Sequence, residues 1–250
     1  MVKLIFLGTG GWVSPANRGY VSILIRPNRV NSLYVLDFGE GAFKSMQRLN
    51  INPLAIKAVF ISHIHGDHIL GLPGLLINLK AYGYDDELKI VAPENSIEFL
   101  EKILETLGES RIRYEIIRAK AFRTVYSDEN VSVEAFPAKH PIETLMYKIT
   151  LKSEGKTVFY SSDTSPFNKL LEFIKGSNIL IYEASFLEGF EKFAHSKGHS
   201  TVKDAITLAL KLKIQSLIVF HIGFYLKLPK KVVIDSTSVY FPDDGDELLL

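Results

Sequence analysis

A chain of 250 residues, 47% apolar and 23% charged, has the composition of a folded globular protein and excludes a disordered or fibrous one. Its 29 lysines and arginines against 28 aspartates and glutamates leave a net charge of +1, so no global field draws it to nucleic acid or anionic lipid, and a polyanion must be held by a local patch. The absence of cysteine excludes disulfides and thiolate metal sites.

The N-terminal "MVKLIFLGTGG" reads as a strand over 2–7 running into glycines, not as a signal peptide. With no apolar stretch of the ~18 residues that a membrane span needs, no membrane partner is expected and the expected address is cytoplasmic. A glycine-rich irregular stretch, 8–19, follows and carries Arg18, a candidate phosphate contact whose plainer reading is a solvated loop arginine. Strands are then predicted near 20–26 and 32–37, a helix over 41–49, a strand over 58–61, a helix over 68–81, a strand over 88–92 and a helix over 96–107. Strands near 121–126, 130–136, 144–152 and 156–161 come next, the last two forming a hairpin through Glu154 and Gly155 in "LKSEGKTVFY". A helix over 167–175, a strand over 178–182, an irregular region over 186–198, a helix over 201–212 and a strand over 216–220 complete the pattern. Strands in runs with helices spread along the chain predict an α/β fold: two sheets face to face, helices outside, one domain over 1–250.

Several of these strands end on chemistry. "AVFISH" ends at His63, "TVFYSSD" at Asp163, "ILIYE" at Glu183 and "SLIVFH" at His221, each able to bind metal or move protons. In layered α/β folds sites lie where strands leave the core, so these residues are candidates for one rim.

The densest signal is "VFISHIHGDHILGLPGLL", with His63, His65, Asp67 and His68 within six positions. The plain reading makes the histidines loop residues and Asp67 the N-cap of a helix starting at His68. The metal reading is the more specific in a chain with only seven histidines. His63 and His65, two apart on extended backbone, project to one side, Gly66 lets the chain turn, and the helix sends Asp67 and His68 to a neighbouring side. Four ligands on one loop exceed what a single catalytic metal with an open position takes, which points to a binuclear centre.

"HIHGDH" resembles the His-x-His-x-Asp-His signature of the metallo-β-lactamase superfamily, an αββα sandwich of two mixed sheets flanked by helices. "FLGTGG", "LDFGEG", "SSDT", "YEAS", "GHST" and the closing "DDGDELLL" run in order through nearly the whole chain and are similar to ribonuclease Z, the endonuclease that trims the 3′ trailer from tRNA precursors. The resemblance implies that His63, His65 and His140 hold one metal and Asp67, His68 and His221 a second, with Asp163 bridging. Taken singly, His140 in "AFPAKHP" reads as an ordinary loop histidine and Asp163 as the N-terminal anion of the next helix. It further implies that His199 of "GHST" donates a proton to the leaving oxygen while Glu183 orients it, although a tyrosine precedes Glu183 where the family has "HEA" and Ser200 or Thr201 could be a helix cap instead. His195 finds no counterpart and reads as a surface residue.

With two Zn²⁺, or Mn²⁺ or Fe²⁺, and Asp67 as proton acceptor, the set suits hydrolysis of an RNA or small phosphodiester. The rivals are a small-substrate hydrolase acting on simple nucleotide diesters, lactones or thioesters, and a redox di-iron or non-catalytic metal protein. Two departures from the family stand out. Only 22 residues separate His140 from Asp163, too few for the inserted tRNA-gripping arm, and "FHIGFYLK" leaves only Tyr225 to match an arginine and tyrosine pair. "PKK" at 229–231 is a weak basic cluster, and the Leu-rich helix after His68 reads as core with a possible part in the homodimer common in the family.

Overall fold

A computed structural model describes residues 1–107, 112–223 and 228–250, which form two compact units. The first comprises residues 1–9, 16–120 and 243–250, the second residues 10–15 and 121–242.

In the first unit the order is β1 (Lys3–Gly8), β2 (Ser22–Arg26), β3 (Leu33–Leu36), α1 (Ala42–Arg48), β4 (Ile56–Phe60), α2 (Gly66–Ile69), α3 (Leu72–Ala81), β5 (Glu87–Pro93), α4 (Ile97–Leu107) and β6 (Arg113–Ala119). They build a seven-stranded mixed sheet, in the order 247–249, β1, β2, β3, β4, β5, β6, with the chain's last strand at one edge. β1, β2 and β3 pair antiparallel, and β3 to β6 pair parallel. Leu72, Leu75, Leu76 and Leu79 of α3 share a buried cluster with Leu100 and Leu104 of α4 and with Val35, Val59 and Ile90 of the strands. Each such side chain contributes about 1.5–3 kcal/mol by leaving water.

The helix expected over 68–81 is two helices. Gly71 donates its N–H to Phe38 O at 3.0 Å, and a methyl group there would overlap Gly39 and Phe38. Pro73, at the start of α3, lacks the N–H that would continue the ladder. The unexpected β6 reads "RYEIIRA": its charges fall on the exposed positions of a strand at the sheet edge, so no apolar run marks it.

The second unit contains β7 (Arg123–Ser127), β8 (Val131–Pro137), β9 (Leu145–Leu151), β10 (Lys156–Tyr160), α5 (Leu170–Ile174), β11 (Ile179–Glu183), α6 (Glu191–Ser196), α7 (Val202–Lys211), β12 (Ser216–Phe220), β13 (Lys231–Ile234) and β14 (Thr237–Tyr240). Its eight-stranded mixed sheet runs β13, β14, β12, β11, β10, β9, β8, β7. The β9–β10 hairpin is as expected, with Gly155 supplying the left-handed turn residue at φ 60°. The next strands switch to parallel, and the register sets Tyr160 against Ile181 and Glu183 against Phe220. The ends of β10, β11 and β12 therefore emerge side by side. α7 lays Ala205 and Ala209 on this sheet against Leu217 and Val219, small residues four apart on one helical face. α6 escaped the sequence pattern because it is six residues long with only Ala194 buried, and β13 and β14 are a short hairpin turning at Asp235 with φ 52°. Among the described residues no helix is long and apolar enough to cross a membrane.

Candidate metal centre

In the first unit the ligand loop leaves β4 and is anchored from below by the end of β3. Asp37 is buried in a left-handed conformation, φ 53°, a region that costs a non-glycine residue about 1–3 kcal/mol and persists only where surroundings enforce it. Its backbone N–H donates to Phe60 O at 2.9 Å, and its carboxylate accepts from Ser62 N at 2.7 Å, Ser62 Oγ at 2.8 Å and His68 Nδ1 at 2.8 Å. Fixing the His68 proton on Nδ1 leaves Nε2 as the donor atom, 3.5 Å from Asp67 Oδ2. Because the Ser62 hydroxyl gives its single proton to Asp37, its oxygen accepts from His63 Nδ1 at 3.0 Å. The lone pair of His63 Nε2 then faces His65 Nδ1 at 2.9 Å. Two imidazole nitrogens at that separation, the His63 tautomer being set from behind by Ser62, suit a shared cation.

Glycine permits this layering. A side chain at Gly39 would overlap Asp67 O and Tyr20, so "LDFGEG" can pass directly beneath α2. His65 takes the N-cap position of α2 and Asp67 its first turn, where a carboxylate favours the helix dipole, so Asp67 is not the cap.

In the second unit the donors come from strand ends. Four donors converge on the buried Glu183 carboxylate: Thr164 N at 2.9 Å, Ser185 N at 3.1 Å, Ser185 Oγ at 2.9 Å and His199 Nδ1 at 2.9 Å. Having given its proton to Glu183, Ser185 Oγ accepts from His221 Nδ1 at 2.7 Å. His221 Nε2 is thereby left as a lone pair, 3.2 Å from Asp163 Oδ1. Asp163, His199 and His221 each offer an atom within 4.8 Å of the others. The rings of His199 and His221 stack at 5.4 Å. His140 donates Nδ1–H to Gly198 O at 3.0 Å, and burial pushes its pKa down against the pull of Asp163, which favours the neutral ring that metal binding needs. Ser162 at φ 50° and His221 at φ 58° repeat the left-handed exit seen at Asp37. A methyl group on Gly11 would collide with the His221 ring, so "GTGG" is a close approach of backbone to ligand.

Each cluster thus holds the candidates the sequence singled out: His63, His65, Asp67 and His68 in the first unit, and His140, Asp163, Glu183, His199 and His221 in the second. Asp163 lies seven residues before α5 and is not its N-terminal anion. The cap of α7 is Thr201, in a capping box with Asp204, which leaves His199 outside the helix. Tyr182, the departure from "HEA", bonds Ser200 Oγ at 3.1 Å, and Ser200 bonds Thr164 O at 2.7 Å.

Three of the sequence readings gain structural partners. Arg18 is not a solvated arginine: it is buried, bonded to Thr9 Oγ1 and, at 2.7 Å, to Asp243 Oδ1, so it ties the glycine loop to the C-terminal "DDGD". His195 is at the surface, with over a third of its side chain exposed, and donates Nε2–H to Asp204 at 2.8 Å, bracing the start of α7. "PKK" leads into β13, where Lys231 covers the Tyr240 ring at 4.9 Å. Tyr225 lies outside the described residues. The residues missed were Asp37, Ser62, Ser185 and Gly11. "LYVLD" also ends an apolar strand on a carboxylate, so Asp37 carried the same signal as Glu183.

The donor sets, imidazoles and carboxylates with hydrogen-bonded outer partners and no thiolate, fit divalent zinc, manganese or iron. Residues 35–222 match the family described as Beta-lactamase superfamily domain. The chain is 30% identical to Ribonuclease Z of Methanocaldococcus jannaschii, the match covering 89% of this chain and 86% of that one. Among solved structures it is similar to human tRNase Z, short form, with a TM-score of 0.83 at 22% identity over 99% of this chain and 98% of the other. It is likewise similar to YhfI of Bacillus subtilis, described as a metallo-beta-lactamase fold protein, with a TM-score of 0.82 at 19% identity over 99% and 98%. At these identities the structural likeness bears on fold, and it agrees with mixed sheets of seven and eight strands accompanied by helices.

Proposed function

The chain belongs to the metallo-β-lactamase superfamily, in its ribonuclease Z-like branch, and from that premise we propose that it is a binuclear-metal phosphodiesterase acting on RNA or nucleotide diesters. The observation that carries the reading is the tautomer control in both clusters, where a serine and a carboxylate fix one ring nitrogen and present the other. His63, His65 and His140 would hold one ion and Asp67, His68 and His221 the other, with Asp163 shared, the whole chain acting as one hydrolase domain. When bound, two divalent ions lower the pKa of an attacking water and offset charge on the phosphoryl oxygens. Asp67 accepts the proton of the nucleophile. His199, whose Nδ1 is held by Glu183 Oε1 at 2.9 Å, carries a proton on Nε2 to the departing ribose oxygen.

The substrate is read as RNA because the relatives named Ribonuclease Z match over most of their length. Between His140 and Asp163 the chain is β9, a tight turn and β10, which leaves no segment for the arm. Small diesters and short single strands are therefore its direct substrates, and full-length precursor tRNA binds weakly and with steep salt dependence. A cytoplasmic homodimer completes the reading, with Leu70 and Ile77, exposed near the ligand loop, as candidate contacts.

Metal analysis and turnover test this. The purified protein should carry close to two divalent ions, and Asp163→Ala should deplete both. One ion that survives Asp163→Ala would remove the binuclear centre, and iron without turnover of bis(p-nitrophenyl) phosphate would favour a redox or non-catalytic role. Mapping the cut on a precursor tRNA, with binding measured on the whole tRNA and its acceptor stem at several salt concentrations, tests the substrate.

A further inference from the structure

Next to the Glu183–Ser185–His199 cluster the second unit opens a cavity of about 550 Å³ lined by Ser185, Phe186, Leu187, Phe190, Phe193 and Gly223. Apart from Ser185 its wall is apolar and largely aromatic. Phe190 and Phe193 are 55% and 50% exposed, a cost that packing does not explain. Ser185, which supplies the polar edge, is the residue that bonds Glu183 and His221. Phe186 stands edge-on to Phe193 at 5.4 Å and lies 6.3 Å from the His199 ring, so the aromatic wall leads directly to the proton donor. Lys197 Nζ sits 5.8 Å from the Phe193 ring centre, placing a cation at the same wall. Of the neighbouring acids, Glu188 is paired with Lys203 at 2.6 Å and Glu191 accepts from Gly189 N at 3.1 Å.

From these observations we propose that this cavity is a nucleobase subsite, in which the unpaired base flanking the scissile phosphate stacks on Phe190 and Phe193 while Lys197 meets the adjoining phosphate. The inference rests on the phosphodiesterase reading and deepens it by naming what the diester carries. The occupant follows from continuity: whatever reacts at His199 must place its neighbouring group against Ser185 and Phe186. Rings and one cation, without fixed base-edge donors among the described lining residues, form a platform that accepts any base by its π-face. The volume falls in the range of small-molecule sites and admits a nucleoside.

The test compares a dinucleoside phosphate bearing 2-aminopurine beside the scissile bond with its abasic counterpart on the metal-loaded protein. Wild type should favour the base-bearing diester in kcat/KM by on the order of tenfold, and Phe193→Ala or Phe190→Ala should bring that ratio close to one. Phe193→Tyr should keep the preference and Phe193→Leu lose it, which separates stacking from apolar filling. Independently of turnover, 2-aminopurine fluorescence should be quenched on binding and the quenching lost in Phe193→Ala. Equal kcat/KM for both diesters in wild type, an unchanged ratio in both alanine variants, or a preference retained by Leu overturns the subsite. Quenching with no cleavage of either diester would leave the subsite standing and sink the phosphodiesterase reading instead.

Discussion

In the first unit four donors, His63, His65, Asp67 and His68, arise from six consecutive residues after β4, whereas in the second His140, Asp163 and His221 come from three separate strand ends. The loop needs only local rules: extended backbone for two histidines, a glycine, and a short helix that turns the other pair. The dispersed set needs the parallel register of β10, β11 and β12, which puts Glu183 opposite Phe220 and brings His221 to Ser185. Both regions nevertheless use one device. A buried carboxylate and a serine behind the candidate ligands, Asp37 with Ser62 and Glu183 with Ser185, choose the tautomer, and a left-handed residue at the strand end turns a side chain out of the sheet. Ligands can come from anywhere in a chain, but their orientation demands a rigid partner from a neighbouring strand.

The largest expected effect sets the regions apart, because the proposed proton donor, His199, lies in the second. His199→Ala should retain its metals yet lose about 10²- to 10⁴-fold in rate on a diester with a poor leaving group. On a p-nitrophenyl diester the loss should shrink, since p-nitrophenolate departs without a proton. Equal losses on both substrates would make His199 a positioning residue and erase the contrast.

The shared device can be tested on both sides. Asp37→Ala and Ser185→Ala should each weaken metal affinity by about 10- to 100-fold, with circular dichroism unchanged. If only one does so, measured by competition with a chelator, the two regions are not built alike. Gly11→Ala should act in the same direction on the second region alone, because the added methyl group displaces the His221 ring while the first cluster keeps its geometry. The smallest effect concerns support. Thr201→Ala removes the acceptor for Asp204 N and should cost about 1 kcal/mol in urea unfolding, with metal content unchanged. A drop in metal content would show that the cap of α7 also steers the His199 loop.

The difference between the regions also explains what could be read in advance. "HIHGDH" and the strand runs around it were legible because the ligands and the turn that aims them lie within one stretch of chain. The hairpin at Gly155 and the helices over 42–48, 97–107 and 202–211 were legible for the same reason, since periodicity and turn residues are local signals. β6 and β13 were not, because β6 is a charged edge strand with no apolar run and β13 an edge strand of four residues, too short to stand out, and the break at Gly71 depends on Phe38, far away in sequence.

By itself, then, the sequence determined the residue types, the order of most strands and helices, and through its motifs the family and the candidate ligands. Tertiary structure alone decided that Asp37 and Glu183 hold the imidazoles, that Arg18 is spent on Thr9 and Asp243, and that Thr201 rather than Ser200 caps α7. The physical reason is that a hydrogen bond fixing a tautomer joins atoms 31 or 36 positions apart, as His68 to Asp37 and Ser185 to His221 do, and no local propensity encodes which strand ends will meet.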